Sequence, residues 1–551
     1  MSLSEKNQLI LENAVKANYD RTFYAQYPEH PKPYGEEAPV KGLAAYNAQL
    51  NNKFTELLQN KTGKYVGEEV SPYTQQPLGI TYPSYTVDEL ITAANSAFLK
   101  WRSLSVASRA NLLIEALEQI KNRFFDIAYA TMHTTGQSFI MSFQASGPHS
   151  NDRSLEAIAM GYSELTKFPE QVIWEKPMGK ISVKLEKTYH AQPKGIGLVI
   201  GCSTFPVWNT VPGVFADLIT GNTVIVKPHP KAVLPIAIVI AEIQKVLKQN
   251  NIDPNVVQLA ADSSEHLITK ELAEHPDVKL IDYTGGTAFG NYVESIKGKV
   301  TFTEKAGVNS VILDSVKDID AVMQNLAFSV SLYSGQMCTA PQNFFIPETG
   351  IKNGDGTLSF NEVVEKLQHH INMIVGNPKM AAGTFAAIQS AVTANRVQST
   401  KNLGAKVLVT SNAVANEEFA NARTASPTLL EVAAADSKLF ENELFGPISI
   451  VIKTKNTDES IALAADMALT HGAITCAAYS TDEGVITKIQ NAMQAAFVPV
   501  SFNLTGPIWV NQNAAFSDFH VTGGNPAGNA SFTNPEFIVK RFVWVGHRRA
   551  I

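Results

Sequence analysis

Over the first 170 residues the apolar positions recur mostly at helical spacing. From Thr86, "TVDELITAANSAFLKWRSLSVASRANLLIEALEQIKNRF" sets apolar residues three or four apart with polar ones between, the period of helices that bury one face. Thr86 and Ser105 stand at N-cap positions, so residues 85–165 are expected to be helical. A polar helix is expected at the start, and "YPEHPKPYGEEAP" then interrupts regular structure. Between residues 172 and 193 the period shortens to two. "WEKPMGKISVKLEKTYHAQP" predicts a two-stranded flap, and "FIVKRFVWV" at 537–545 predicts an edge strand that pairs with it or with another subunit.

From 195 to 303 short, wholly apolar runs ("GIGLVIG", "NTVIVKP", "NVVQLAA", "VKLIDYTGG") alternate with helical stretches such as "KAVLPIAIVIAEIQKVLKQ". That alternation predicts βαβ units and a parallel sheet covered on both faces. Sheets of this kind bind ligands at the carboxyl ends of their strands. A second α/β region is expected from "NSVILD" at 309 to about residue 500.

Composition changes this picture little. The 551 residues allow several domains. A net charge of −6 offers no basic face, so nucleic acid is not an expected partner. Three cysteines, Cys202, Cys338 and Cys476, form no CxxC pair; no disulfide framework or metal site is expected, and a reducing compartment is favoured. The longest apolar run, "LPIAIVIAEI" at 234–243, is too short for a bilayer, and no apolar signal core opens the chain. A cytoplasmic protein without a membrane partner is expected.

Four segments carry candidate chemistry. Each has a bland alternative: Cys338 in "YSGQMCTAPQNFFIP" as a buried small hydrophobe, Glu304 in "TFTEKAG" and the acidic "ENELFGPISIVI" as solvated turns, "YTGGTAFG" as a simple turn. Together they say more. "YTGGTAFG" follows a strand and opens a helix, so Gly285, Gly286, Thr287 and Gly290 could offer backbone N–H groups to a phosphate, although GxGxxG is absent. Lys227 ends another strand of the same sheet and suits a ribose or phosphate. A thiol at Cys338 and a carboxylate at Glu304, with no partnering histidine in view, suit covalent capture of a carbonyl followed by activation of water.

On these residues the chain resembles the aldehyde dehydrogenase family from about residue 85 to its end. "EKAGVNSVIL" from Glu304 is similar to the family's Glu-Leu-Gly-Gly-Lys loop, and "GQMC" to its Gly-Gln-x-Cys segment. Glu443, Phe445, Gly446 and Pro447 match its Glu-x-Phe-Gly-Pro segment. The resemblance implies an α/β fold with a parallel-sheet nucleotide-binding domain, an α/β catalytic domain and a β-flap for assembly into a homodimer or homotetramer. The divisions expected are 1–171 (extension and first part of the nucleotide-binding domain), 172–193 (flap), 194–304 (nucleotide-binding), 305–518 (catalytic) and 519–551 (C-terminal return and oligomerisation strand). It also implies a chemistry. Cys338 attacks a small-molecule aldehyde, hydride passes to a nicotinamide, and Glu304 activates the water that releases the acid. Glu443 would hold the nicotinamide ribose and Phe445 would pack near the ring. "YPEHPKPYGEEAP", "VGEEVSPYTQQPLGITYP" (66–83) and "WVNQNAAFSDFHVTGGNPAGNAS" (509–531) resemble one subgroup, active in phenylacetic acid degradation. That implies a semialdehyde substrate, free or CoA-linked.

Two departures from the family pattern matter. The family's Asn-Phe-Pro is here "STFPVWNTVPGVF", with Thr204 at the Asn position and Asn209 a turn further on; either is a candidate oxyanion donor. The family's Lys-Pro-Ser-Glu is here "KPHPK", with Pro230 at the Glu position. Lys227, His229 and Lys231 remain and that carboxylate is missing, so NADP is expected ahead of NAD. CoA-acylating oxidation, and a non-catalytic binding protein that keeps the fold, stand as alternatives. An intact Glu304 argues against the first, and Cys338, Glu304 and Glu443 together argue against the second.

Overall fold

A computed structural model describes residues 3–506, 516 and 520–551. Most of residues 509–519, in the subgroup-like segment, and the division expected at 518/519 therefore lie outside the described residues.

The helical region forms as its periodicity requires. Thr86 and Glu89 close a reciprocal cap at the start of Val87–Arg102, and the Ser105 hydroxyl accepts from the Ser108 N–H at the start of Val106–Lys121. Three more helices, Phe124–Thr135, Phe139–Ser146 and Pro148–Thr166, complete the layer. They pack on Val211–Ile219 and on Leu234–Gln249, whose apolar residues are nearly all buried.

Five parallel strands lie in the spatial order Val257–Leu259, Thr223–Lys227, Ile196–Ile200, Val278–Thr284, Val300–Glu304. In chain order this is 3-2-1-4-5. The order reverses between Ile196–Ile200 and Val278–Thr284, and a crevice opens there beyond the carboxyl ends of the strands. A seven-stranded sheet carries the second α/β region. Its central strands, Ile448–Thr454, Asn343–Pro347, Ser310–Leu313 and Cys476–Tyr479, are parallel, and Lys406–Val409 is antiparallel at one edge.

The period-two stretch forms the strands Gln171–Met178 and Ile181–Pro193, and Phe542–Ala550 pairs antiparallel with the second of them. The C-terminal strand begins later than the pattern suggested, because Glu536–Val539 makes a short helical turn first. This small sheet stands largely in solvent with Ile173, Met178, Ile181 and Val543 exposed.

Candidate active site

Cys338 follows an unusual turn. The helix Ile319–Ser331 ends, and Tyr333, Ser334 and Gly335 all adopt positive φ (54°, 50° and 61°). For Tyr and Ser this backbone is costly and must be held from outside. The Tyr333 hydroxyl donates to the Thr204 carbonyl at 3.1 Å, and the Ser334 hydroxyl exchanges bonds of 3.1 Å with the backbone of Ala386. Gly335 is obligatory for a second reason: a Cβ there would collide with the Gly446 carbonyl. The "GQMC" and "ELFGP" segments are thus in backbone contact. Gln342 strengthens the link, since its carbonyl accepts from the Leu444 N–H at 2.6 Å and its amide donates to the Asn442 carbonyl at 3.0 Å. The Asn309 amide donates to the Cys338 carbonyl at 2.7 Å and fixes the backbone beside the sulfur.

Glu304 ends the outermost strand of the five-stranded sheet. Its carbonyl accepts from the Gly285 N–H at 3.0 Å, and the Lys305 N–H donates to the Ala527 carbonyl at 2.6 Å. The Cys338 sulfur and a Glu304 carboxylate oxygen both lie near the imidazole of His520, and the three ligand atoms fall within 4.8 Å of one another. His520 Nε2 is 2.8 Å from Glu304 Oε1 and 3.7 Å from Cys338 Sγ. This corrects the expectation of a thiol and carboxylate without a histidine. No sequence spacing links His520 to residues 304 and 338; tertiary structure alone brings it in.

Burial and the neighbouring Glu304 carboxylate push the Cys338 thiol well above its ordinary range. Burial acts to raise Glu304 too, but the imidazole beside it prevails and holds its carboxyl below the usual value. Burial lifts Glu443 to about 7, with Arg396 and the Gly307 N–H offsetting part of the rise.

A cavity of about 660 Å³ joins these groups to the crevice of the five-stranded sheet. Its walls include Cys338, Glu304, Thr204, Asn209, Lys227, Pro230, Gly285, Gly286, Glu443 and Phe445, which the sequence had left in scattered segments. Two expected residues are not among its walls. Thr287 is exposed on the first turn of the helix Thr287–Ser295, and Gly290 is packed where a Cβ would collide with the Lys305 side chain. Gly286 caps that helix without a side chain, and a Cβ there would meet nothing within 4 Å. The helix N-terminus is therefore open to a phosphate. With the half-buried carboxylate of Glu443 on the cavity wall to accept from a ribose, these residues fit a nicotinamide dinucleotide.

The cations near Pro230 are not arranged as the sequence suggested. Lys227 is buried and paired with Asp262 at 2.6 Å. Burial and the adjacent lysines hold His229 near 4, so it is neutral at pH 7. Glu68 of the N-terminal region faces His229 and Lys231 and accepts the Ser264 N–H at 2.9 Å. The "KPHPK" segment thus contributes far less positive charge than its composition suggests. At the other candidate donor pair, the Asn209 amide donates to Cys202 Sγ at 3.6 Å, and its carbonyl oxygen is buried with no hydrogen-bond partner among the described residues. The Thr204 hydroxyl is also turned to the Cys202 sulfur.

The Aldehyde dehydrogenase family matches the chain over residues 59–525. A crystal structure of an NAD-dependent aldehyde dehydrogenase from Burkholderia multivorans superposes with a TM-score of 0.97 at 42% identity, covering 100% of both chains. A 1-pyrroline-5-carboxylate dehydrogenase of Bacillus subtilis (strain 168) is 22% identical over 445 residues, 77% of this chain and 80% of that protein. The crystal structure of a Thermus 1-pyrroline-5-carboxylate dehydrogenase with bound NAD has the same fold, with a TM-score of 0.74 at 17% identity, covering 96% of this chain and 99% of the other.

Proposed function

The chain belongs to the aldehyde dehydrogenase family, enzymes that oxidise small-molecule aldehydes with a nicotinamide cofactor, and on that premise we propose a mechanism and a substrate class. Cys338 is the nucleophile and forms a thiohemiacetal with the aldehyde carbon. The amide of Asn209, with the backbone around Cys338, holds the oxyanion. A bound nicotinamide would supply the hydride acceptor. Glu304 then deprotonates the water that cleaves the Cys338 thioester and frees the acid. Glu443 would accept from the nicotinamide ribose, and Phe445 would pack beside the ring. The observation that carries this reading is the meeting of Cys338, Glu304 and Glu443 on one cavity that runs to an open helix N-terminus.

The proposed cofactor is NAD in preference to NADP. Asp262 on Lys227, a neutral His229 and the nearby Glu68 remove most of the charge a 2′-phosphate would need, and the 42% identical relative is named NAD-dependent.

The proposed substrate is a semialdehyde. The segments similar to the phenylacetic-acid-degradation subgroup, the protein called PaaN, favour one formed by ring opening. Phe205 lines the cavity that holds Cys338 and packs against Tyr333 at 5.3 Å and Trp208 at 6.3 Å, an aromatic wall that suits an apolar chain. The relatives named 1-pyrroline-5-carboxylate dehydrogenase suggest glutamate semialdehyde instead. Assembly is proposed through the exposed flap, as a homodimer or homotetramer. An aldehyde panel with free and CoA-linked ring-opened semialdehydes and glutamate semialdehyde, read by reduced-cofactor absorbance, tests the substrate. Cys338→Ala should abolish turnover while keeping cofactor binding, and Cys476→Ala, in the sheet core, should stay active. Normal turnover by Cys338→Ala would overturn the mechanism.

A further inference from the structure

We propose that His520 is a catalytic residue of this enzyme, the base that takes the proton of the Cys338 thiol. The inference rests on the reading of Cys338 as nucleophile.

Three observations lead to it. The first is distance. Nε2 sits 3.7 Å from the sulfur, within reach of an S–H donor, and 2.8 Å from the Glu304 oxygen. A single ring nitrogen cannot accept from the thiol and donate to the carboxylate at once, so the two contacts describe two ends of one transfer. In the first state the ring has swung its bare Nε2 off the Glu304 oxygen to face the S–H group; the 2.8 Å contact belongs to the second. The S–H bond breaks, its electron pair stays on sulfur, and an Nε2–H bond forms. In the second state the imidazolium donates to the Glu304 carboxylate and lies against the thiolate. Charge balances: thiol, imidazole and carboxylate sum to −1, as do thiolate, imidazolium and carboxylate. When the acid product leaves, the thiolate returns beside the same imidazolium.

The second observation is that the ring is held for this task. The Trp208 ring meets it edge-on at 4.9 Å, and the Arg153 guanidinium covers Trp208 at 3.8 Å. The chain around His520 is fastened to the strand that carries Glu304. The Asn529 N–H donates to the Thr303 carbonyl at 3.0 Å, the Thr303 N–H returns a bond to the Asn529 side chain at 2.9 Å, and Ala527 takes the Lys305 N–H. The Asn525 amide donates to the Ala473 carbonyl at 3.1 Å. The C-terminal segment is thus built onto the end of the strand, and His520 is buried beside the half-buried nucleophile.

The third is electrostatic need. The titratable groups around the sulfur are the Glu304 carboxylate from its strand, the Cys202 thiol from the loop after Ile196–Ile200, and Glu443 from the "ELFGP" loop, and all three oppose a thiolate. Arg153, from Pro148–Thr166, lies behind Trp208 and acts on Glu304. The imidazole is the contacting group that can neutralise the new charge, much as cysteine–histidine pairs do in other nucleophilic enzymes.

The test is the rate of Cys338 alkylation by iodoacetamide across pH 5–9 on the full chain, quantified by peptide mass, with kcat/KM measured alongside. In the wild type, alkylation should abolish turnover, and because His520 takes the proton against the opposing pull of burial and Glu304, its rate should already be rising below pH 8. His520→Gln should alkylate about tenfold or more slowly at pH 7 and lose about 10²-fold in kcat/KM, the usual size of a general base. Cofactor titration and the melting temperature report whether the variant is folded, and added imidazole should restore part of the rate in His520→Ala. Wild-type alkylation rates in a folded His520→Gln would overturn the proposal. So would a wild-type profile flat until strongly alkaline pH, a result that does not depend on the variant folding. If alkylated wild type still turns over, the failure lies with Cys338 as nucleophile and not with His520.

Discussion

Arg541 is a sharp test of the physical reasoning. It is fully buried between the helical layer and the five-stranded sheet, and it joins three parts of the chain. Nη1 and Nη2 donate to both oxygens of Asp282 at 2.7 and 2.6 Å, and Nη1 also donates to Asp217 at 2.7 Å. Its guanidinium lies over Phe302 at 3.9 Å. Asp282 is on the strand Val278–Thr284, Asp217 on the helix Val211–Ile219, and Arg541 immediately precedes the C-terminal strand. Arg541→Met keeps much of the stem and removes the charge. Two buried carboxylates then face each other without a counter-ion. Removing one partner from a buried ionic cluster costs about 3–5 kcal/mol. The cost must depend on pH. Burial has already raised Asp217 to about 7 in the intact protein, with Asp282 adding to the rise and Arg541 opposing it. A carboxyl whose folded value is raised binds its proton more tightly when folded, so its contribution favours the folded state at low pH and is lost as pH rises from about 4 towards 7. Without Arg541 the Asp217 carboxyl moves further up, and each unit is worth about 1.4 kcal/mol. Urea denaturation of wild type and Arg541→Met at pH 5 and pH 8 should therefore show the larger gap at pH 8. A loss below about 1 kcal/mol, or an equal loss at both pH values, would refute the account.

Other predictions concern the site. Glu304→Gln keeps size and removes the base, so rapid mixing should show one burst of reduced cofactor followed by slow turnover; no burst with normal turnover would remove Glu304 from the mechanism. Asn209→Ala should lower kcat about 10²–10³-fold as an oxyanion donor is lost, and Thr204→Val, whose hydroxyl faces Cys202, should lose less; the reverse order would assign the oxyanion to Thr204. Steady-state kinetics at one fixed aldehyde should favour NAD, and Asp262→Asn, which frees the Lys227 charge, should shift the ratio towards NADP by about tenfold, the scale of one charge-assisted contact. An unshifted ratio would show that Lys227 does not govern the choice.

Local pattern determined much of this protein. The period-three-to-four stretch after Thr86 had to form capped helices, and the apolar runs at 196–200, 223–227 and 278–284 could only be strands buried on both faces, so the parallel sheet was legible before any coordinates. Cys338, Glu304 and Glu443 were legible because each sits in a short segment of distinctive composition. Other features depended on contacts between distant parts of the chain. His520 stands in the 509–531 segment, which by sequence carried only a subgroup resemblance, and its chemistry appears because 520–529 folds back on the end of the Glu304 strand. Lys227 reads as a free cation until Asp262 reaches it, so charge counted along "KPHPK" overstates the free positive charge there. Arg541 looks like an ordinary basic residue near a terminus and is buried against two aspartates far away in sequence. Periodicity records which face of an element is dry. Which charges meet in the dry interior is decided by long-range packing, where desolvation makes each pairing strong and leaves no mark on its neighbours in sequence.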